Sequence, residues 1–213
     1  MQISCDGILF DNDGVLVDSH VQVVEAWTQW ASEFDLDYEA LADELIGVPA
    51  ADTINNHLPP EVAAVAIPRL EDLEVELAAQ TPPVAGAVEL TSFLPTGSWS
   101  VVTSASRRLA IARWKGAGIV PPAKTVTADD ITHGKPNPEP FLTGARLLEV
   151  DPRRCVVFED SPSGGVAGAA AGATVVAVGD LEWTVEPAAR IADLTQVSVS
   201  TAPDGSLLLD VQS

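Results

Sequence analysis

The chain has 213 residues, 46% of them apolar, enough for one large domain or one domain carrying a modest insert. Its 31 acidic and 11 basic residues leave a formal charge of −20, a field that repels nucleic acid and anionic membranes and excludes both as expected partners. Cys5 and Cys155 lie in apolar runs and read as buried core thiols; with His20, His57 and His133 scattered, no zinc spacing exists.

The N-terminus has no basic start before an apolar signal core, and no apolar run reaches membrane-spanning length, so the expected location is the cytoplasm. Residues 3–10 form a short, largely apolar run ending at Asp11 and predict a buried strand followed by a loop. Val21, Val24, Trp27, Trp30, Ala31 and Phe34 then recur at helical spacing and predict one apolar face. Helical segments continue to about residue 80, broken at Gly47-Val48-Pro49 and at Leu58-Pro59-Pro60. Thr81-Pro82-Pro83 is a stiff punctuation mark and a hinge candidate.

Beyond it, strands are expected over 99–103, 124–127, 154–158 and 174–178. Helices are expected over 107–116, closed by Gly116 or Gly118, and over 139–148 and 162–172. Alternation of this kind implies a doubly wound parallel sheet covered on both faces. Residues 197–211 alternate around Pro203-Asp204-Gly205 and suggest a terminal hairpin. The expected organisation is an α/β core domain of residues 1–17 and 83–213, with an α-helical insert of residues 18–82.

Chemistry-bearing residues gather after strands. Asp11-Asn12-Asp13-Gly14 places two carboxylates behind a buried strand, costly to cluster unless a cation or proton is shared. Thr103-Ser104-Ala105-Ser106 sets hydroxyls and N–H groups where a strand turns into a helix, an anion cradle. Glu159-Asp160-Ser161 is a second acidic pair, and Gly134-Lys135-Pro136-Asn137-Pro138 holds one lysine in a rigid loop. In a doubly wound sheet these loops meet at the carboxyl edge of the strands. Hard oxygen ligands suit magnesium, and carboxylates, hydroxyls and a lysine together are equipment for phosphoryl transfer. A calcium loop fits poorly, since Leu9 and His20 stand where an EF-hand needs oxygen ligands. Gly164-Gly165 and Gly168 do not match a dinucleotide loop and read as helix–sheet packing. Arg107 and Arg108 read as a solvated face, and Trp27 and Trp30 as core of the insert.

With all four motifs in order, the sequence resembles the haloacid dehalogenase superfamily, in its sugar-phosphatase and β-phosphoglucomutase branch with a helical cap. The resemblance implies a Rossmann-like core and roles residue by residue. Asp11 would be nucleophile and magnesium ligand. Asp13 would bind metal through its carbonyl, protonate the leaving alkoxide and then activate water. Ser104 or Thr103 would hold phosphate oxygens with the Ala105 N–H. Lys135 would pair with Asp11 and phosphate, Asp160 would be the second metal carboxylate, and Glu159 would order the metal shell. The implied cofactor is Mg2+, and the implied partner is a small phosphorylated metabolite such as a sugar or polyol phosphate. A monomer is expected, since no assembly motif is evident.

Within the branch, Asp13 favours phosphate chemistry over dehalogenation. The lysines (Lys115, Lys124, Lys135) all lie outside the insert, which removes Schiff-base chemistry there. A β-phosphoglucomutase-like mutase is the alternative. Its cap histidine would align with Val23, and the insert has only Arg69 as a cation. Many sugar phosphatases of the branch carry Arg or Lys where Gly47-Val48-Pro49-Ala50 stands. A non-catalytic phosphometabolite-binding protein is the third reading, and it would not need Asp11, Asp13, Lys135 and Asp160 all intact.

Overall fold

The computed structural model describes residues 1–42 and 50–212, so the break expected at Gly47-Val48-Pro49 lies outside the described residues. The strand expected over 3–10 is two strands, β1 (Gln2–Cys5) and β2 (Gly7–Phe10). The exposed Asp6 divides them; its N–H donates to the Arg154 carbonyl at 2.8 Å and its carboxylate pairs with the Arg154 guanidinium at 2.6 Å. A charged residue held at the surface cannot continue a buried strand, so the chain changes sheet there.

After Asp11 the chain runs through α1 (His20–Glu33), α2 (Tyr38–Leu41), α3 (Ala50–His57) and α4 (Pro60–Leu77). Their buried apolar residues form a cluster of their own, centred on Trp27, Trp30, Ile54, Leu70 and Leu73. The Trp30 indole donates to the Ala66 carbonyl at 2.8 Å, and its ring meets Trp27 edge-on at 5.2 Å, the core role expected of this pair. Val21 departs from expectation and is exposed. The buried stripe of α1 is rotated to Ala26, Trp27, Trp30 and Ala31, and Val23 rather than Val21 packs against it.

The two passages joining these helices to the sheet lie side by side. Val17 bridges Pro83, the Asp18 N–H donates to the Pro82 carbonyl at 2.9 Å, and the Val84 N–H donates to the Leu16 carbonyl at 3.0 Å. The chain continues with α5 (Ala87–Phe93), β3 (Trp99–Val102), α6 (Arg107–Ala117), β4 (Thr125–Val126), α7 (Glu139–Leu148), β5 (Cys155–Glu159), α8 (Pro162–Ala170), β6 (Thr174–Val178) and β7 (Ala189–Ile191). Helix α6 ends on the left-handed Gly118.

The strands β4-β3-β2-β5-β6-β7, in that order, form one parallel sheet. Its central strands are buried along their whole length, as a sheet covered on both faces requires. Two apolar clusters fill its faces. One contains Phe10, Trp99 and Phe158; the other contains Leu9, Phe141 and Val157. The architecture is therefore the expected doubly wound α/β core. Successive strands leave β2 first toward β3 and β4, then toward β5, β6 and β7. That reversal opens a crevice at the carboxyl end of β2.

The expected terminal hairpin is present as β8 (Val197–Thr201) and β9 (Leu207–Val211). β9 pairs on its other side with β1, giving a small antiparallel sheet in the order β1-β9-β8.

Cys5 and Cys155 are buried, and desolvation pushes their thiols up to about 11 and about 12, so both stay protonated core residues.

Candidate active site

At the crevice, four loops deliver side chains to one cavity of about 610 Å³. Asp11, Thr103, Ser104, Lys135, Glu159 and Asp160 all line it, as does Asp13, and Ala50 and Ala51 of α3 reach it from the helical side. Asp11 follows β2 directly, and its backbone N–H donates to the Phe158 carbonyl at 2.9 Å, which carries the sheet ladder one residue past the strand. The Asp11 carboxylate therefore starts from a rigid backbone.

Lys135 is the centre of charge. Its ammonium pairs with Asp11, donates to Glu159 Oε1 at 2.7 Å and to the Val102 carbonyl at 3.2 Å, and lies 5.0 Å from the centre of the Phe141 ring. Burial works against this charge, but Asp11 and Glu159 outweigh burial and hold the ammonium above its ordinary value. Glu159 is fully buried, and its other oxygen accepts the Ser161 N–H at 2.7 Å and the Ser161 hydroxyl at 2.9 Å. Gly164 makes room for it, since a Cβ there would sit 1.6 Å from Glu159 Oε1.

Oxygens of Asp11, Glu159 and Asp160 lie within 4.8 Å of one another. One ammonium does not balance three carboxylates. Burial, opposed by Lys135 and reinforced by Glu159 and Asp160, raises the Asp11 carboxyl well above the usual range. Burial and then the charge of Glu159 push Asp160 up to about 7. Crowded hard oxygens short of positive charge fit a divalent cation, and Asp11 with Asp160 are the pair whose ionised forms such an ion would favour. Gly14 belongs to this arrangement. It is left-handed, with φ 75°, and a Cβ on it would come within 2.0 Å of Asp160 Oδ2.

The hydroxyl loop differentiates Thr103 from Ser104. Thr103 is buried, and its hydroxyl accepts the Ala105 N–H at 3.0 Å. Ser104 is exposed on the cavity wall. The Ala105 N–H, expected to hold phosphate, is thus engaged by Thr103 in this structure. Arg107 and Arg108 stand on the surface as expected, paired with Asp130 and Asp72 at 2.6 Å each.

Asp13 is turned toward α1 and α6. Its Oδ1 accepts the Ser19 hydroxyl at 2.6 Å and pairs with Arg113 at 2.8 Å, while Oδ2 accepts from the Asn12 side-chain amide at 3.2 Å. The Asn12 side-chain oxygen Oδ1 accepts from the buried Trp114 indole at 2.7 Å. Sequence reasoning missed Arg113, Ser19, Asn12 and Glu74. Arg113 had a signal. It falls between Leu109, Ala110 and Trp114, Ala117 on the buried stripe of α6, where a lone cation needs partners.

The family model for haloacid dehalogenase-like hydrolases matches residues 5–173. The chain is 36% identical to hexitol phosphatase A of Escherichia coli, over 96% of this chain and 99% of that protein. It is 31% identical to glycerol-1-phosphate phosphohydrolase 2 of Saccharomyces cerevisiae, over 87% and 80%. In fold it resembles the crystal structure of a hydrolase from Pseudomonas syringae, with TM-score 0.77 and 23% identity, over 90% of this chain and 94% of that one.

Proposed function

The chain belongs to the haloacid dehalogenase-like hydrolase family, and from that membership we propose that it is a magnesium-dependent phosphatase of small sugar or polyol phosphates, working through an aspartyl-phosphate on Asp11. The observation that carries this reading is the buried convergence of Asp11, Lys135, Glu159 and Asp160 at the carboxyl end of β2, beside the hydroxyl loop. The names of the hexitol and glycerol-1-phosphate enzymes support polyol phosphates as the substrate class.

Asp11 and Asp160 carboxylates, with the Asp13 backbone carbonyl, would hold the magnesium, and Glu159 would order its surroundings. Bound there, the ion supplies charge neutralisation for the transferring group and the acidic wall. The Ser104 hydroxyl, the Ala105 N–H once released from Thr103, and Lys135 take the equatorial oxygens of the phosphoryl group. An Asp11 oxygen attacks phosphorus, the bond from phosphorus to the substrate oxygen breaks, and the Asp13 carboxyl gives that oxygen its proton. The resulting Asp13 carboxylate then removes a proton from water, which attacks the same phosphorus. The bond to Asp11 breaks and inorganic phosphate leaves.

Residues 18–82 act as a cap that closes over the site about the paired passages at Val17-Asp18 and Pro82-Pro83, excluding water during the first transfer. Hydrolysis is favoured over mutase action because Arg69 is held by Glu33 through two contacts of 2.7 Å and does not line the cavity. The test is phosphate release from hexitol phosphates, glycerol 1-phosphate and 2-deoxyglucose 6-phosphate, with magnesium and with chelator. β-Glucose 1-phosphate with its bisphosphate serves as the mutase control. Magnesium-dependent phosphate release is expected. Glucose 6-phosphate formed without phosphate release would replace the phosphatase by a mutase.

A further inference from the structure

One guanidinium outside the strand-end cluster faces carboxylates from two parts of the chain. Arg113 on α6 is buried, with 6% of its side chain exposed. It donates from Nη1 to Asp13 Oδ1 and from Nη2 to Glu74 Oε1 on α4, both at 2.8 Å. Glu74 is itself largely buried, with its carboxyl raised by desolvation. Two carboxylates thus share one cation, one beside the nucleophile and the other on the helical segment.

We propose that Arg113 is a positioning residue for Asp13, and that Glu74 makes its grip depend on where α4 sits. This rests on reading Asp13 as the acid and base of a phosphatase. Held by Ser19, Arg113 and Asn12 together, the Asp13 carboxylate is an acceptor, and it must leave Arg113 to deliver a proton to a departing oxygen. Arg113 cannot follow it. The guanidinium lies in the buried stripe of α6 beside Trp114, whose indole is tied to Asn12. When α4 is docked, Glu74 anchors the guanidinium and so fixes the position from which Asp13 turns to the substrate. When α4 withdraws, Arg113 loses that anchor and Asp13 loses its alignment.

A plain tether between α4 and α6 would not need the Asp13 contact. The turn after α4 already seats against α6 so closely that a Cβ on Gly116 would lie 2.2 Å from the Ala78 carbonyl oxygen. Arg108 adds a surface pair to Asp72. The arm of Arg113 that reaches Asp13 is therefore surplus to docking.

The test uses the dependence on leaving group, measured with magnesium on the full chain. A polyol phosphate needs a proton on its departing oxygen, whereas p-nitrophenyl phosphate does not, so the nitrophenolate burst reports phosphoryl transfer without acid help. Arg113→Met is expected to slow kcat on the polyol phosphate by about 10²-fold while the burst rate stays within about threefold. Asp13→Asn sets the pattern to be matched. Glu74→Gln should slow the polyol reaction by about threefold to tenfold with the burst unchanged, and Arg113→Lys should recover much of the loss.

If Arg113→Met misfolds, the Arg113→Met/Glu74→Gln double variant removes the orphaned carboxylate, and it should be no slower than about the Arg113 loss alone. Equal loss on both substrates, or a lowered Tm with unchanged kinetics, would reduce Arg113 to a structural residue. An Asp13→Asn protein with no such difference between substrates would remove the acid assignment and this inference with it. A folded wild type that releases no phosphate from any substrate would instead overturn the phosphatase reading.

Discussion

The molecule holds two largely buried clusters in which one cation faces more than one carboxylate, and they are built differently. Around Lys135, one ammonium pairs with Asp11 and Glu159, and Asp160 stands beside those two carboxylates, all carried by the ends of sheet strands or the loops beside them. Around Arg113, one guanidinium meets Asp13 and Glu74, and the second of these rides on a helix of the inserted segment. The first cluster is fixed by the hydrogen-bonded ladder and is short of positive charge, which suits a centre that receives a cation and a phosphate. The second spans a boundary between separately packed apolar cores, which suits a group that must change partners. On the proposed reading, the difference teaches that binding electrostatics belongs to the sheet frame and proton handling to the seam with the helical insert.

The comparison breaks most completely at Asp11. Asp11→Asn should abolish turnover, with no phosphoenzyme trapped after acid quench, while the fold persists; a substantial residual rate would remove Asp11 as nucleophile. Next in size is Lys135→Met. It leaves three carboxylates without their buried cation and should cost about 3 kcal/mol of stability as well as activity. Magnesium should restore part of that stability in thermal melts, because the ion supplies the missing charge. A variant that melts like the wild type in chelator would show that the cluster does not depend on Lys135.

A smaller effect follows from Asp160, pushed up to about 7 against an ordinary value of 3.8. The folded metal-free protein keeps this proton when the unfolded chain has lost it. The stabilising contribution is therefore complete below pH 3.8 and is lost as pH rises toward about 7. In chelator, the difference in Tm between wild type and Asp160→Asn should move against the wild type from pH 5 to pH 8, conditions about two units below and one above that value. Magnesium competes with the proton, so its affinity should rise over the same range. A difference that stays flat would detach Asp160 from the proton and metal balance. Least affected is the surface: Arg108→Ala, which breaks an exposed pair with Asp72, should change stability by less than about 1 kcal/mol and leave kcat unaltered.

Much of this was legible in the sequence, and what was hidden had a common physical cause. Asp11, Lys135 and the Glu159-Asp160 pair are far apart in the chain, but each follows or lies between predicted strands of a parallel sheet, and that topology alone brings them to one edge. Arg113 was not anticipated because charged residues on a helix are read as solvated, and its partners, Asp13 and Glu74, are about 100 and 39 positions away. Val21 was misjudged because Val21 and Val23, two positions apart, fit different helical stripes, and only the packing of the insert selects one. β1 merged with β2 in the sequence because its partner is β9, whose weak alternation identifies a hairpin without saying which edge it adopts. Thr103 and Ser104 share a chemistry, and backbone direction rather than composition separates the buried hydroxyl from the one on the cavity wall.

The pairing of β1 with β9 also has a consequence for the order of events during synthesis. Ile3 aligns with Leu209, so β1 finds its neighbour only after about 200 further residues have been made. At about 5–20 residues per second, that is a wait of roughly 10–40 seconds. Until then Ile3 and Cys5 lack Leu209 and Leu207, the residues they pair with in the finished sheet. The parallel sheet around β2 can assemble as its strands emerge, whereas the small antiparallel sheet must wait for β8 and β9.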